Sequence, residues 1–330
     1  GGPTLIRAAA KNYENVCVLV NPDDYQELIK GLNETSGTIS DSFRKKMALK
    51  AFRLVSDYDR DIHNWLARQS LEENVVQPRV RKEVKLRYGE NPHQEAELLI
   101  YDEEGPSIGS ANQIQGKDMS YNNYIDSDSA FKIVSDFENK DEFVCVIVKH
   151  KNPCGVAKAS TLLDAYMKAN SSDPVSAFGG IIAVNSVLDE ETAIQMSKTY
   201  IEVIIAPRIS KKAQQIFKDK KNVRLLETSG LLSQKNRKKV MKEISGGILL
   251  QDENTIKFDK NELKYVTTLK PTELELDDLI FAWKVIRHVA SNAIIIAKNG
   301  QTIGIGNGQT SRLDSVKMAV EKAETFFRRF

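Results

Sequence analysis

Phe143-Val144-Cys145-Val146-Ile147-Val148-Lys149-His150-Lys151-Asn152-Pro153-Cys154-Gly155 is the stretch on which the reading of this chain turns. Its first six residues are an apolar run of strand length, and the rest are turn residues. An ammonium and an imidazole thus leave a buried strand side by side, where loops of layered α/β folds carry chemistry. A solvated turn with an ordinary Lys-His pair is the alternative reading.

Outward from this point, strand-like and helical segments alternate. Strands are expected at 96–101, 143–148, 180–184, 203–206, 223–227, 247–251, 293–298 and 302–305. Helices are expected at 127–137, 162–170, 190–199, 211–217, 274–290 and onward from Leu313. The patterns Thr161-x-x-Asp164 and Thr272-x-x-Glu275 place two helix starts. Such alternation predicts a layered α/β domain. Upstream, the order is a helix at 5–12, a strand at 16–20, and a helix opened by Asn21-Pro22-Asp23. Phe43, Met47, Ala51, Val55, Tyr58, Ile62 and Trp65 then recur at three and four, predicting one long core-facing helix over 41–70. His63 reads as a surface residue of that helix. Residues 71–85 have no helical period and read as an extended crossing between domains.

The bulk composition is neutral in character. The 330 residues allow about two domains. Charged residues are 28% and balance to +2, so no basic field points to nucleic acid. No run of eighteen apolar residues exists to span a membrane, and no signal peptide is visible. Cys17, Cys145 and Cys154 are too few for a disulfide framework, which fits a reducing cytoplasm. The Gly-Gly-Pro-Thr start and the stop inside an amphipathic helix read as cuts, so a fragment is expected.

Four constellations could carry chemistry. Arg87 and Tyr88, with Gly89 and Asn91-Pro92 bending the chain behind them, offer a guanidinium fork and a phenol face; an ordinary interdomain turn is the alternative. Lys149 and His150 could stabilise a developing anion and accept a proton. Asp173-Pro174-Val175-Ser176-Ala177-Phe178-Gly179-Gly180 pairs small residues with an exposed ring, or is a plain turn. Last, Ser291-Asn292-Ala293 precedes two strands joined by Asn299-Gly300, which fits a hairpin. Gly304-Ile305-Gly306-Asn307-Gly308 lacks both G-x-G-x-x-G spacing and a Walker lysine, which excludes a Rossmann or P-loop reading. Arg312 at the next helix start could hold an anion with the backbone amides.

His150 with Pro153-Cys154 matches half of a zinc-deaminase signature. However, Asn152 stands where the glutamate belongs and Ala157 where the second cysteine belongs, and no two of the four histidines have metal spacing. No metal site is expected. The runs Val146–Gly155 and Ile294–Gly300 both go from a strand into a Lys-Asn turn, by duplication of one α/β unit or by coincidence.

Taken together, R-Y-G-E-N-P-H-Q at 87–94, K-H-K-N-P-C-G at 149–155, S-D-P-V-S-A-F-G-G at 172–180, I-I-A-P at 204–207, and S-N-A with K-N-G-Q-T-I-G-I-G-N-G-Q-T-S-R between 291 and 312 resemble one family, in order and over essentially the whole chain. It is the bifunctional AICAR transformylase/IMP cyclohydrolase family of purine biosynthesis. The resemblance implies a methylglyoxal-synthase-like remnant with its linker helix over 1–78. It implies a truncated transformylase domain of two zinc-free cytidine-deaminase-like units over 79–330. It implies transfer of a formyl group from the co-substrate 10-formyltetrahydrofolate to the 5-amino group of AICAR, with no metal or redox cofactor. His150 is then the proton acceptor and Lys149 stabilises the transition state. Arg87, Tyr88, His150, Gly179, Glu202, Asn292 and Arg312 contact AICAR or its phosphate, with Phe178 near the nucleotide and Leu313 near the folate. Lys11 matches the lysine implicated in ring closure to IMP; the other ring-closure groups fall outside this sequence. A homodimer with sites using both subunits is implied as well.

Overall fold

The computed structural model describes residues 2–70, 80–101, 105–137, 142–232, 240–254 and 259–329. The chain divides into two compact units, Gly1–Arg81 and Lys82–Phe330.

In the first unit, α1 (Gly2–Lys11) packs on α3 (Asp41–Ser70), with α2 (Tyr25–Glu34) between them in sequence. Ala10, Ala48 and Ala51 form a small core ringed by Ile6, Tyr13, Val18, Val20 and Phe52. Asn21 caps as expected, its Oδ1 accepting from the Asp23 N–H at 3.1 Å, although the first turn, Pro22–Asp24, is a 3-10 helix. Two expectations fail here. Residues 16–20 form no strand, because they find no ladder partner among the described residues; Val18 and Val20 pack on the helices instead. The apolar stripe of α3 is buried at Met47, Ala51 and Val55, yet Tyr58, Ile62 and Trp65 are exposed. A ten-residue α1 is about 15 Å long and cannot cover a helix of about 45 Å. His63 is exposed, as read.

The second unit opens with β1 (Val80–Lys85) and β2 (Glu97–Tyr101), which form a two-stranded sheet. Only the end of the expected 71–85 crossing is therefore described, and it is a strand. The following elements are β3 (Asn112–Gln115), α4 (Tyr121–Ser135), β4 (Phe143–Lys149), β5 (Asn152–Ala159), α5 (Leu162–Ser172), the short α6 (Pro174–Ala177), β6 (Gly180–Val184), α7 (Glu190–Met196), β7 (Ile201–Ala206), α8 (Lys211–Phe217) and β8 (Arg224–Glu227). After an exposed hairpin, β9 (Val240–Ile244) and β10 (Gly247–Gln251), come α9 (Glu273–Ile286), β11 (Ile294–Lys298), β12 (Gln301–Gly306) and α10 (Arg312–Arg329).

One eight-stranded mixed sheet, in the order β11-β12-β5-β4-β6-β7-β8-β3, organises this unit. Side chains of β4 alternate between two cores. Val144, Val146 and Val148 join Phe131 and Val134 of α4 and Phe281 and Val285 of α9. Cys145 and Ile147 join Ala165, Tyr166 and Ala169 of α5, Met196 of α7 and Phe217 of α8. Helices on both faces make the layered α/β/α arrangement and explain why the central strands are continuously apolar.

The strand β5 was not expected, since Asn152-Pro153 reads as a turn. The turn is only His150-Lys151, and the chain returns at once. Ile147 pairs with Gly155 and Val148 with Pro153, so Cys154 is the extra residue of a bulge, which is where a strand tolerates proline. The strands β1, β3 and β9 were likewise missed. Helix α4 starts six residues before its expected start at 127, because Asn123 completes the capping box with Ser120.

The internal echo proves to be a repeated unit. The sequence α4–β4–β5–α5 recurs as α9–β11–β12–α10. In the second copy Ile296 pairs with Gly304 and Ala297 with Thr302, so the bulge sits at the same offset from the turn. This register equates Lys149-His150-Lys151 with Lys298-Asn299-Gly300. A Cβ added to Gly155 would lie 1.9 Å from the Ala169 carbonyl oxygen of α5; one added to Gly304 would lie 2.1 Å from that of Ala319 in α10. Gly304 and Gly306 thus serve strand–helix packing, in keeping with the rejected nucleotide loop. The copies meet through β5 and β12, which run antiparallel, with Lys158 N–H donating to the Gly300 carbonyl at 2.8 Å. Their turns therefore project from opposite ends of the sheet.

Candidate functional site

The His150 end of the sheet gathers residues from several separate segments. Lys149 closes β4, and its Nζ donates to the Gly179 carbonyl at 2.8 Å. Gly179 itself has φ +68, and a Cβ there would sit 3.2 Å from the Tyr200 ring and 3.3 Å from Lys149 Nζ. Glycine is thus required both by backbone and by space. Its N–H donates to the Tyr200 carbonyl at 2.8 Å, and the neighbouring Phe178, 61% exposed, stands 5.4 Å from the Tyr200 ring. Asp173 caps the short α6 before it, accepting from the Ser176 N–H and hydroxyl.

His150 and Lys151 form the β4–β5 turn with φ of 50° and 69°. Two left-handed residues are what a two-residue hairpin of the right twist needs, but each non-glycine residue there costs about 1–2 kcal/mol. The turn is held by Asp126 of α4, whose Oδ2 accepts from His150 N–H at 3.1 Å and Oδ1 from Lys151 N–H at 2.8 Å. His150 is exposed, so its ring faces solvent at the sheet end.

Two strands along the sheet from β4, Glu202 near the start of β7 accepts from Asn123 Nδ2 of α4 at 2.8 Å. Arg224, at the start of β8, is buried, and its guanidinium donates to the carbonyls of Lys117, Asp118 and Asn222. Burial pushes the Arg224 pKa down; Glu202 opposes this, Arg87 pushes the same way, and Tyr200 and Tyr88 oppose it. Arg87 and Tyr88 therefore lie in the same electrostatic neighbourhood, with the Arg87 guanidinium 5.5 Å from the Tyr88 ring. The turn that carries them is joined to α4 and the hairpin by Asn122 donating to the Glu90 carbonyl and by a Lys151–Glu90 pair at 3.8 Å.

The segment before β11 reaches the same end. Asn152 Oδ1 accepts from the Ala290 N–H at 3.3 Å, and Asn292 Nδ2 donates to the Gln309 and Thr310 carbonyls. Asn292 thus braces the loop that leads into α10. Arg312 and Leu313 are exposed at the start of α10. Lys11 is exposed at the end of α1 in the smaller unit.

Asn123, Asp126 and Arg224 were not singled out in the sequence, and Asn152 was noted only as departing from the zinc-deaminase pattern. The capping box that starts α4 early was the one legible signal for the first two. Cys154 belongs to the half-signature of a zinc site. Cys154 is buried, its thiol donates to the Ile147 carbonyl, and burial, with Asp173 adding, pushes its pKa up to about 12. Among the described residues no three His, Cys, Asp or Glu side chains converge as metal ligands.

A family model described as AICARFT/IMPCHase bienzyme matches residues 9–322. Among the similar curated proteins are those named bifunctional purine biosynthesis protein PurH from Brucella ovis, Brucella suis and Brucella abortus, each 47% identical over 326 residues. The match covers 98% of this chain and 61% of each relative, so the chain spans about three-fifths of their length. With the family model running over nearly the whole sequence, and with relatives 47% identical over 98% of it, the chain belongs to the AICARFT/IMPCHase bienzyme family.

Proposed function

We propose that this chain binds AICAR at the His150 end of the sheet and transfers a formyl group to its 5-amino group from 10-formyltetrahydrofolate. The single observation that carries the reading is the convergence of Lys149, Gly179, Glu202, Arg87 and Asn292 from five separate segments around one turn.

The chemistry explains the residue types. The AICAR amine is a poor nucleophile, because ring and carboxamide delocalise its lone pair. As the amine attacks the formyl carbon, the N–C bond forms and the carbonyl oxygen gains charge. His150 takes the amine proton, and the Lys149 ammonium stabilises the oxyanion. Collapse expels the folate nitrogen, which takes up a proton as tetrahydrofolate leaves. Arg87 and Tyr88 hold the nucleotide and its phosphate, Glu202 and Asn292 accept from its polar groups, and Gly179 admits it close to the backbone. Phe178 lies along the base. Arg312 completes the anion contacts, and Leu313 meets the folate. Holding both reactants in line supplies much of the remaining acceleration.

A second copy is proposed to complete the site. Supporting this, Val240, Met241, Ile244, Ile248, Leu249 and Leu250 of the β9–β10 hairpin are all exposed, an apolar area of the kind that marks an interface. Three free cysteines favour a reducing cytoplasm as the compartment. Among the described residues no helix is long and apolar enough to cross a membrane.

The test is to mix the purified chain with AICAR and 10-formyltetrahydrofolate and measure tetrahydrofolate and formyl-AICAR. Both products form in equal amounts if the reading holds. Absence of AICAR binding by calorimetry would remove it.

A further inference from the structure

The two copies of the repeated unit hold their turns in the same way. Asp126 Oδ2 and Oδ1 accept from the His150 and Lys151 N–H groups at 3.1 and 2.8 Å. In the second copy Asp278 Oδ2 and Oδ1 accept from the Asn299 and Gly300 N–H groups at 2.8 and 2.7 Å. Both aspartates lie one and a half turns into the helix that precedes the hairpin. The turns they hold differ in intrinsic preference. Asn-Gly adopts two left-handed residues readily, whereas His-Lys does so only against steric cost. The clamp is therefore auxiliary in the second copy and decisive in the first.

We infer that Asp126 is the positioning residue of the formyl-transfer site: by accepting both turn N–H groups it holds His150 in a left-handed conformation and so fixes where the imidazole stands. This rests on the reading of His150 as proton acceptor. Only a carboxylate can accept at both oxygens; an asparagine would turn an NH₂ group toward one of the two N–H donors. With Asp126→Asn the turn relaxes toward conformations that His and Lys prefer, and the ring leaves the line of the reacting amine. Groups that bind AICAR stay in place, so the loss falls on turnover and not on KM.

The experiment compares the wild-type chain, Asp126→Asn, Asp126→Asn with Lys151→Gly, and Asp278→Asn, by kcat and KM for AICAR and by hydrogen exchange of the turn amides. For Asp126→Asn the expected kcat is about 30-fold lower with KM within about twofold, as for a misplaced catalytic group. Adding Lys151→Gly should restore about tenfold of that loss, because glycine takes the left-handed position freely. Asp278→Asn should leave kcat within about twofold, its Asn-Gly turn being self-sufficient. An Asp126→Asn kcat within twofold of wild type, or a loss that Lys151→Gly leaves unrepaired, overturns the inference. Hydrogen exchange separates it from the functional reading. In the wild-type chain the His150 and Lys151 amides should exchange at least about 100-fold slower than free amides despite their exposed turn, whether or not formyl transfer is found. Unprotected amides there would contradict the clamp directly, and this measurement needs no folded variant.

Discussion

The two hairpins of the repeated unit differ by very little and are expected to differ completely in chemistry. Each has a bulge at the same offset, a glycine pressed on a helix carbonyl, a lysine at the strand end and an aspartate clamping the turn. Where the first turn carries His150-Lys151, the second carries Asn299-Gly300. The second is the turn that sequence preference alone would choose. The first carries a titratable ring in a conformation it disfavours, held there by its surroundings. Function, in this pair, lies where local preference is overruled.

The sharpest way to break the comparison is to remove each turn residue. Formyl transfer should fall about 10²- to 10⁴-fold in His150→Ala, the scale of losing a general base, and remain within about twofold in Asn299→Ala; equal losses would show that the two turns are not specialised. Packing should respond symmetrically instead. Gly155→Ala and Gly304→Ala each drive a methyl into a backbone carbonyl about 2 Å away and should cost about 3 kcal/mol of unfolding free energy in urea. A large difference between them would mean that the copies pack unlike one another.

Turn preference gives a smaller, opposite-signed pair. Gly300→Ala forces a side chain to φ +68 and should lower stability by about 1–2 kcal/mol. Lys151→Gly removes one such residue and should raise it by less than about 1 kcal/mol. The smallest effect is pH-dependent. Burial would raise the Asp173 pKa, but the hydrogen bonds from Lys322 and Ser176 outweigh it and hold the carboxyl below its usual range. A depressed folded pKa means stability that is complete above the unfolded value, about 3.9, and lost as pH falls through the folded one. Lys322 of α10 lies 2.9 Å from Asp173, so Lys322→Met should weaken the chain by under about 1 kcal/mol at pH 7 and less in strong acid. An equal effect at both pH values would contradict the pairing.

Much of the fold was legible because burial on both faces makes the strands plain. The run at 180–184, buried throughout, matches its strand at both ends; the exposed strand at 247–251 and the helix at 211–217 match theirs as well. What escaped was set by tertiary partners. Pro153 reads as a break until the bulge opposite Ile147 and Val148 accommodates it. Val16–Val20 has strand composition but no ladder, and Tyr58, Ile62 and Trp65 keep the period of α3 beyond its cover. The segments at 87–94, 149–155 and 172–180 stood out in the sequence because each carries a turn with distinctive chemistry. Asp126 and Asn123 went unseen because they sit in an unremarkable polar turn of α4, and only the folded chain brings them to the hairpin and to Glu202. The duplication was visible as an echo, but its register was not. The Lys-Asn pairs that suggested it are offset, and the true equivalence is Lys149 with Lys298.

The central claim is that AICAR occupies the His150 end of the sheet and not the equivalent end of the second copy. Hydrogen–deuterium exchange of the chain with and without saturating AICAR tests this most directly. New protection is expected at 87–90, 149–152 and 178–180, with no change at 298–300. Protection centred on 298–300, with the His150 end unchanged, would contradict it.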